Sequence, residues 1–196
     1  MLMPTKASRH GFTIVELLIV IVVIAVLAAI TIATYQGIQQ RANNAAIIDA
    51  ASKSVRMIQA YIATNEAYPY AQGAGSGWAC VTSGVTCTWD EGSTVPANTT
   101  FNNNMATIGT LPRSVPTSGS LGNGVQIYWG GTFVMDSISR PFMVVYWLNG
   151  TNQQCGMSGV VVQSGNTLTP SSTGYSAGNS AGGKTLCKIS VPGPSA

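Results

Sequence analysis

Histidine, charge and mid-chain proline are what this sequence is short of. Its 196 residues include one histidine, His10, so no Ser-His or Cys-His nucleophile pair can form from the rest of the chain. Charged residues are only 8% of the total, 9 Lys and Arg against 6 Asp and Glu, which gives neither the basic surface of a nucleic-acid binder nor an acidic tail. The four cysteines contain no Cys-x-x-Cys pair, and with a single histidine this disfavours a zinc site. The glycines sit among Ser and Thr without the strand and helix context of a phosphate loop or dinucleotide fingerprint. No proline lies between Pro4 and Pro69, so nothing of that kind interrupts a helix there. No cofactor is implied, and the chain reads as a non-enzyme.

What the chain does have is a long apolar run. From Phe12 to Ala33 the only polar side chains are Thr13, Glu16 and Thr31. At about 1.5 Å per residue this stretch spans roughly 33 Å as a helix, enough to cross a bilayer core. An acid near the end of such a segment costs on the order of a few kcal/mol unless it reaches the interface or a partner. Glu16 therefore calls for an explanation.

Three readings compete. A secretory signal peptide would use Lys6 and Arg9, but the run exceeds the usual length of about 7 to 15 residues, and only Thr31-Ile32-Ala33 resembles a cleavage site. A plain signal anchor accounts for length and orientation, because Lys6 and Arg9 precede the span while only Arg41 follows closely. It leaves Glu16 unexplained, beyond a side chain snorkelling to the headgroups.

The third reading is a resemblance. Arg9-His10-Gly11 followed by Phe12-Thr13-Ile14-Val15-Glu16-Leu17-Leu18-Ile19-Val20 resembles the leader and mature N-terminus of type IV pilins and related pseudopilins. The resemblance covers mainly residues 6 to 41 and, more loosely, the chain to Pro69. It implies that a prepilin peptidase cuts between Gly11 and Phe12 and methylates the new terminus, making Glu16 the fifth mature residue. It also implies a role for Glu16 in axial register: the Phe12 ammonium created by cleavage can compensate a neighbour's Glu16 carboxylate in a medium where a bare one is strongly disfavoured. The leader removes two of the nine basic residues, leaving 7 minus 6, a formal +1. Many family members carry a proline in the apolar half, and its absence here puts local melting of that helix in doubt.

Beyond the span, Tyr35, Ile38, Ala42, Ala45, Ile48, Ala51, Val55, Ile58 and Ile62 recur at helical steps. Gln36, Gln40, Asn43, Asn44, Lys53 and Arg56 fall largely off that stripe. A helix from Phe12 to about Asn65 would be roughly 80 Å long; the alternative is a span and a separate core helix, broken near Gly37. Pro69 ends the helical stretch, and an Asn-x-x-Tyr-Pro exit also resembles pilins. Residues 71–124 read as a long loop region, with strand character only around Trp78 to Trp89.

Strand signals concentrate at Val125–Trp129, Thr132–Met135, Phe142–Leu148 and Val160–Gln163, with Lys188–Val191 as a fifth. Gly130-Gly131 reads as a hairpin turn between the first two, and Asn149-Gly150 as a turn closing the third. The tail from Pro192 reads as loose. Cys80, Cys87, Cys155 and Cys187 lie in the part placed outside the membrane, where an even count favours two disulfides. Three pairings are possible; sequence proximity favours Cys80 with Cys87, and Cys155 with Cys187, the latter like the loop that bounds the variable surface of many pilins.

Trp78, Trp89, Trp129 and Trp147 with Tyr68, Tyr70, Tyr128 and Tyr146 could make a glycan-binding surface, but aromatics on strands are more often core. Arg113, Arg140, Lys184 and Lys188 could gather into a patch, though scattered cations are commonly just solvated. Asp90, Glu91 and Asp136 read as turn solvation. Asn98-Thr99-Thr100 and Asn149-Gly150-Thr151 match a glycosylation acceptor pattern.

The expectation is an α+β protein: a leader at 1–11, a long helix at 12–66 whose 12–33 half spans the membrane or lines a filament core, and an extracellular globular domain at 67–196 with an antiparallel sheet. The resemblance implies as partners copies of itself, the prepilin peptidase, an extension ATPase and its platform protein, and the membrane before assembly. The expected function is a pilus subunit for attachment or motility. A minor pilin or pseudopilin, some of which bind calcium through clustered acids missing here, and a monomeric anchored surface protein are the alternatives.

Overall fold

Thr13 starts the first helix. Its side chain takes the N-cap position, so α1 runs Ile14–Asn65, two residues shorter at its start than the sequence suggests. Glu66 stops it, with φ of 49° and its N–H on Ile62 O at 2.9 Å, a left-handed C-terminal residue ahead of Pro69. Gly37 does not break it. The computed structural model describes residues 11–70, 76–81, 87–112, 115–116, 119–130, 133–135, 137–139, 142–180 and 182–194.

The chain divides into two units, Met1–Gln40 and Arg41–Ala196. In the first, the described part is the apolar half of α1. Leu17, Ile24 and Ile30 are each 59% exposed, and none of the most apolar 18-residue stretch of the helix is buried. The helix is long and apolar enough to cross a membrane.

In the second unit, the rest of α1 is followed by β1 (Gly77–Cys80), β2 (Cys87–Thr88), β3 (Thr94–Val95), α2 (Thr99–Ala106), β4 (Gln126–Trp129), β5 (Val134–Met135), β6 (Ile138–Ser139), β7 (Phe142–Asn149), β8 (Val161–Ser164), β9 (Thr167–Pro170), β10 (Ala177–Ser180) and β11 (Lys184–Val191). The main sheet is antiparallel in the order β1-β4-β7-β11-β10; a second has the order β6-β5-β9-β8, and β2-β3 form a two-stranded piece. This is an α+β fold with a long N-terminal helix and an antiparallel sheet domain.

Strand alternation places the core. On β7, Phe142, Val144, Tyr146 and Leu148 point to one side and meet Ile47, Ala51, Ile58 and Ile62 of α1, joined by Cys187, Ile189 and Val191 of β11. Met143, Val145 and Trp147 point to the other side and, with Leu186, meet Phe133, Val161 and Leu168. Both faces are covered, which is why β7 is one unbroken apolar run.

Several expectations give way. Tyr35 and Ile38 are 64% and 65% exposed and Ala42 and Ala45 are exposed too, so the buried stripe begins at Asn44 and Ile47. Val125–Trp129 and Thr132–Met135 do not form a hairpin: β4 lies between β1 and β7, while β5 pairs with β6 and β9. Gly131 lies outside the described residues. Asn149-Gly150 closes no hairpin either, because β7 pairs with β4 and β11 and not with β8. The loop region contains α2, capped by Asn98, whose side chain accepts the Phe101 N–H at 2.8 Å. At the tail, a Cβ on Gly193 would collide with the Tyr68 hydroxyl, so the chain is packed there rather than loose.

Candidate processing and assembly site

Gly11 and Phe12 precede α1 outside any helix or strand, and Phe12 is 83% exposed. A Cβ on Gly11 would meet no atom within 4 Å. Among the described residues nothing therefore requires glycine at this position.

Thr13 and Glu16 form a reciprocal cap. The Thr13 N–H and hydroxyl both donate to Glu16 Oε2 at 2.8 Å, and Thr13 Oγ1 accepts the Glu16 N–H at 3.2 Å. This is the capping box, in which a Thr and a Glu three residues apart satisfy each other's main-chain donors. Thr13 is the site residue that the reading by charge and hydropathy missed. The signal was present as Thr-x-x-Glu ahead of an apolar run. The carboxylate is thus supplied with two hydrogen bonds within its own subunit, in an otherwise apolar stretch.

In the second unit Cys80 is bonded to Cys87 and Cys155 to Cys187, with Cα separations of 5.5 and 5.7 Å. The first closes a short loop beside Val95; the second joins the segment after β7 to β11. Tyr146, buried beside the second bridge and paired with Cys187 across β7 and β11, donates its hydroxyl to Cys155 O, and burial pushes its phenol well above the ordinary tyrosine range.

The aromatic residues divide. Trp129 and Trp147 are buried, and Tyr68 and Tyr70 stack on Phe142. Trp78, Trp89 and Tyr128 are half-buried and packed on one another, with Trp78 to Trp89 centroids 4.0 Å apart. Asp90 is a strut and not a turn-solvating acid: it accepts from Trp147 Nε1 at 2.6 Å and from Ser180 Oγ. Glu91 is exposed, and Asp136 lies outside the described residues.

Lys184 and Lys188 are committed internally. Lys184 Nζ donates to Leu121 O, Gly122 O and Asn123 Oδ1, while Lys188 Nζ donates to Gln163 Oε1 and lies 5.9 Å from the Trp89 ring centre. Arg113 and Arg140 lie outside the described residues. Of the two glycosylation patterns, Asn98 spends its side chain on the α2 cap, and Asn149 is half-buried. Among the described residues no three His, Cys, Asp or Glu side chains gather as a metal site.

The family model of the prokaryotic N-terminal methylation motif, the type IV prepilin leader signature, matches residues 6–32. Neither a curated protein nor a solved structure matches the chain. The motif points to a type IV pilin-like or pseudopilin precursor, and to a structural subunit rather than an enzyme. It implies processing by a prepilin peptidase and assembly into pili, and with the apolar helix it is consistent with membrane anchoring before assembly.

Proposed function

We propose that this chain is the structural subunit of a type IV pilus, cut after Gly11, methylated on Phe12 and polymerised through its apolar helix into a surface filament for attachment or motility. Copies of itself, the prepilin peptidase, the assembly ATPase and the platform protein are the partners in this reading. Before assembly, residues 12–33 sit in the cytoplasmic membrane and 67–196 lie outside the cell.

One observation carries the reading: a glycine that no described residue of the subunit requires stands directly before the exposed apolar half of α1, where Glu16 is the only acid between residues 12 and 33. An apolar surface of that extent requires lipid or other copies of the helix. After cleavage, the Phe12 ammonium of one subunit and the Glu16 carboxylate of the next compensate each other inside the bundle and set its register. A minor pilin or pseudopilin would be cut at the same glycine; scarcity in filaments would distinguish it. A monomeric anchored protein would keep residues 1–11.

Replacing Gly11 with tryptophan tests this. Because the site has room, the domain should fold and insert normally while uncut precursor accumulates and filaments vanish. Normal cleavage and normal filaments in that variant would refute the proposal.

A further inference from the structure

Lys184 opens β11, and its side chain reaches across to the loop that leads into β4. Its Nζ donates to Leu121 O at 2.7 Å, to Gly122 O at 3.0 Å and to Asn123 Oδ1 at 2.9 Å. An ammonium has three N–H donors and no acceptor, so three oxygens complete its shell. Lys184 and Asn123 are each 8% exposed. The protein thus supplies to a buried charge the oxygens that water supplies to an exposed one.

The loop holds its shape through bonds that do not involve the lysine. Gly122 has a φ of 53°, and this left-handed turn of the main chain lets Leu121 O and Gly122 O converge on one point. Asn123 Nδ2 donates to Gly119 O, which leaves Oδ1 facing the ammonium. The Asn123 N–H donates to Thr88 O at 3.0 Å, and Asn123 O accepts the Thr88 N–H at 3.3 Å. The Gly122 N–H donates to Trp89 O at 3.0 Å, and Gln126 Nε2 to Thr88 O at 2.8 Å.

Charge defines which ion such a loop suits. The three oxygens on Lys184 are two main-chain carbonyls and one amide oxygen, with no carboxylate among them. Asp90 gives its carboxylate to Trp147 and Ser180 instead. A calcium ion takes about six to eight oxygen ligands, carboxylates among them, so this set fits a single positive charge.

We propose that residues 119–123 form a cradle for a monovalent cation, which the chain fills with its own Lys184 ammonium. A free ion of like charge and size, ammonium or potassium, takes the place when the side chain is cut back. In the unmodified chain the built-in cation ties the start of β11 to the loop and, through the loop, to β2. This inference rests on the globular domain alone and stands apart from the pilus reading.

The test uses the full chain in detergent and times chymotryptic cleavage after Leu121. In choline chloride, Lys184→Ala should be cut at least about tenfold faster than the unmodified chain, because three oxygens lose their donors. Ammonium or potassium at the same ionic strength should recover most of the protection, and calcium should not. Lys184→Met, whose side chain refills the space without a charge, should be cut fast in every salt. An alanine variant that resists like the unmodified chain, one that choline protects as well as ammonium does, or one that folds in none of these salts would overturn the proposal. The same recovery in Lys184→Met would also overturn it, because the salt would then be acting generally. In the unmodified chain, an acetylating ester should mark exposed Lys53 at least about tenfold faster than Lys184, and equal rates would contradict a closed shell around the ammonium.

Discussion

Asn44 of α1 pairs with the main chain of Asn149 as a strand residue would. Its Oδ1 accepts the Asn149 N–H at 2.8 Å and its Nδ2 donates to Asn149 O at 3.0 Å. The end of β7 is thereby closed by a helix side chain at the point where its strand partners run out, and the first buried position of α1 is polar for that reason.

Replacing Asn44 with leucine keeps the number and branching of the side-chain heavy atoms and removes both of these bonds to the main chain of Asn149. The expected cost is about 2 kcal/mol or more. A lower urea midpoint for the detergent-solubilised protein would show it; an unchanged midpoint would mean that water replaces the amide without loss.

Stability should also depend on pH through the two lysines of β11. Burial holds Lys184 and Lys188 below the ordinary lysine value, and Asp90 opposes the shift at Lys188. Between those lowered folded-state values and the unfolded value of about 10.4, the unfolded chain binds more protons than the folded one. This contribution is therefore smallest near neutral pH and grows as pH rises through that window. Urea midpoints measured from about pH 8 to 10.5 should rise more for the unmodified chain than for Lys184→Met/Lys188→Met. A steeper rise in the double variant would contradict the assignment.

Much of this architecture could be read from residues that act locally. The apolar run, the glycine before it, the exit at Tyr68-Pro69 and the strand at Phe142–Leu148 are each written in a short window. What could not be read depends on distant partners. Asn44 looks like a solvated helix position until residue 149 is folded against it, 105 residues away. Asp90 looks like a turn acid until Trp147 turns its indole toward it. The Gly130-Gly131 turn misled because tight-turn chemistry specifies a reversal and not which strand lies alongside; β4 finds β1 and β7 instead. At the site, the acid and the glycine stand out by charge and position, whereas the role of Thr13 shows only when the capping pattern is laid over the apolar run.

Glu16 separates helix starting from assembly. Glu16→Gln keeps an N3 side chain that can still accept the Thr13 N–H, so α1 should begin in the same place, insert and be cleaved. It removes the charge proposed to compensate the next subunit's Phe12 ammonium, a loss of about 3 to 5 kcal/mol for one member of a buried pair. Filaments should be sparse, with normal subunit levels in the membrane, and co-expression with the unmodified chain should recover part of them. Wild-type filament number in this variant would reduce Glu16 to a capping and snorkelling residue.

The most direct test of the account is the intact mass and N-terminal sequence of the protein sheared from the cell surface. The account predicts abundant filament protein beginning at Phe12 and carrying one added methyl group. A chain beginning at Met1, or one cut after Ala33, would contradict it and return the protein to a membrane-anchored or secreted monomer.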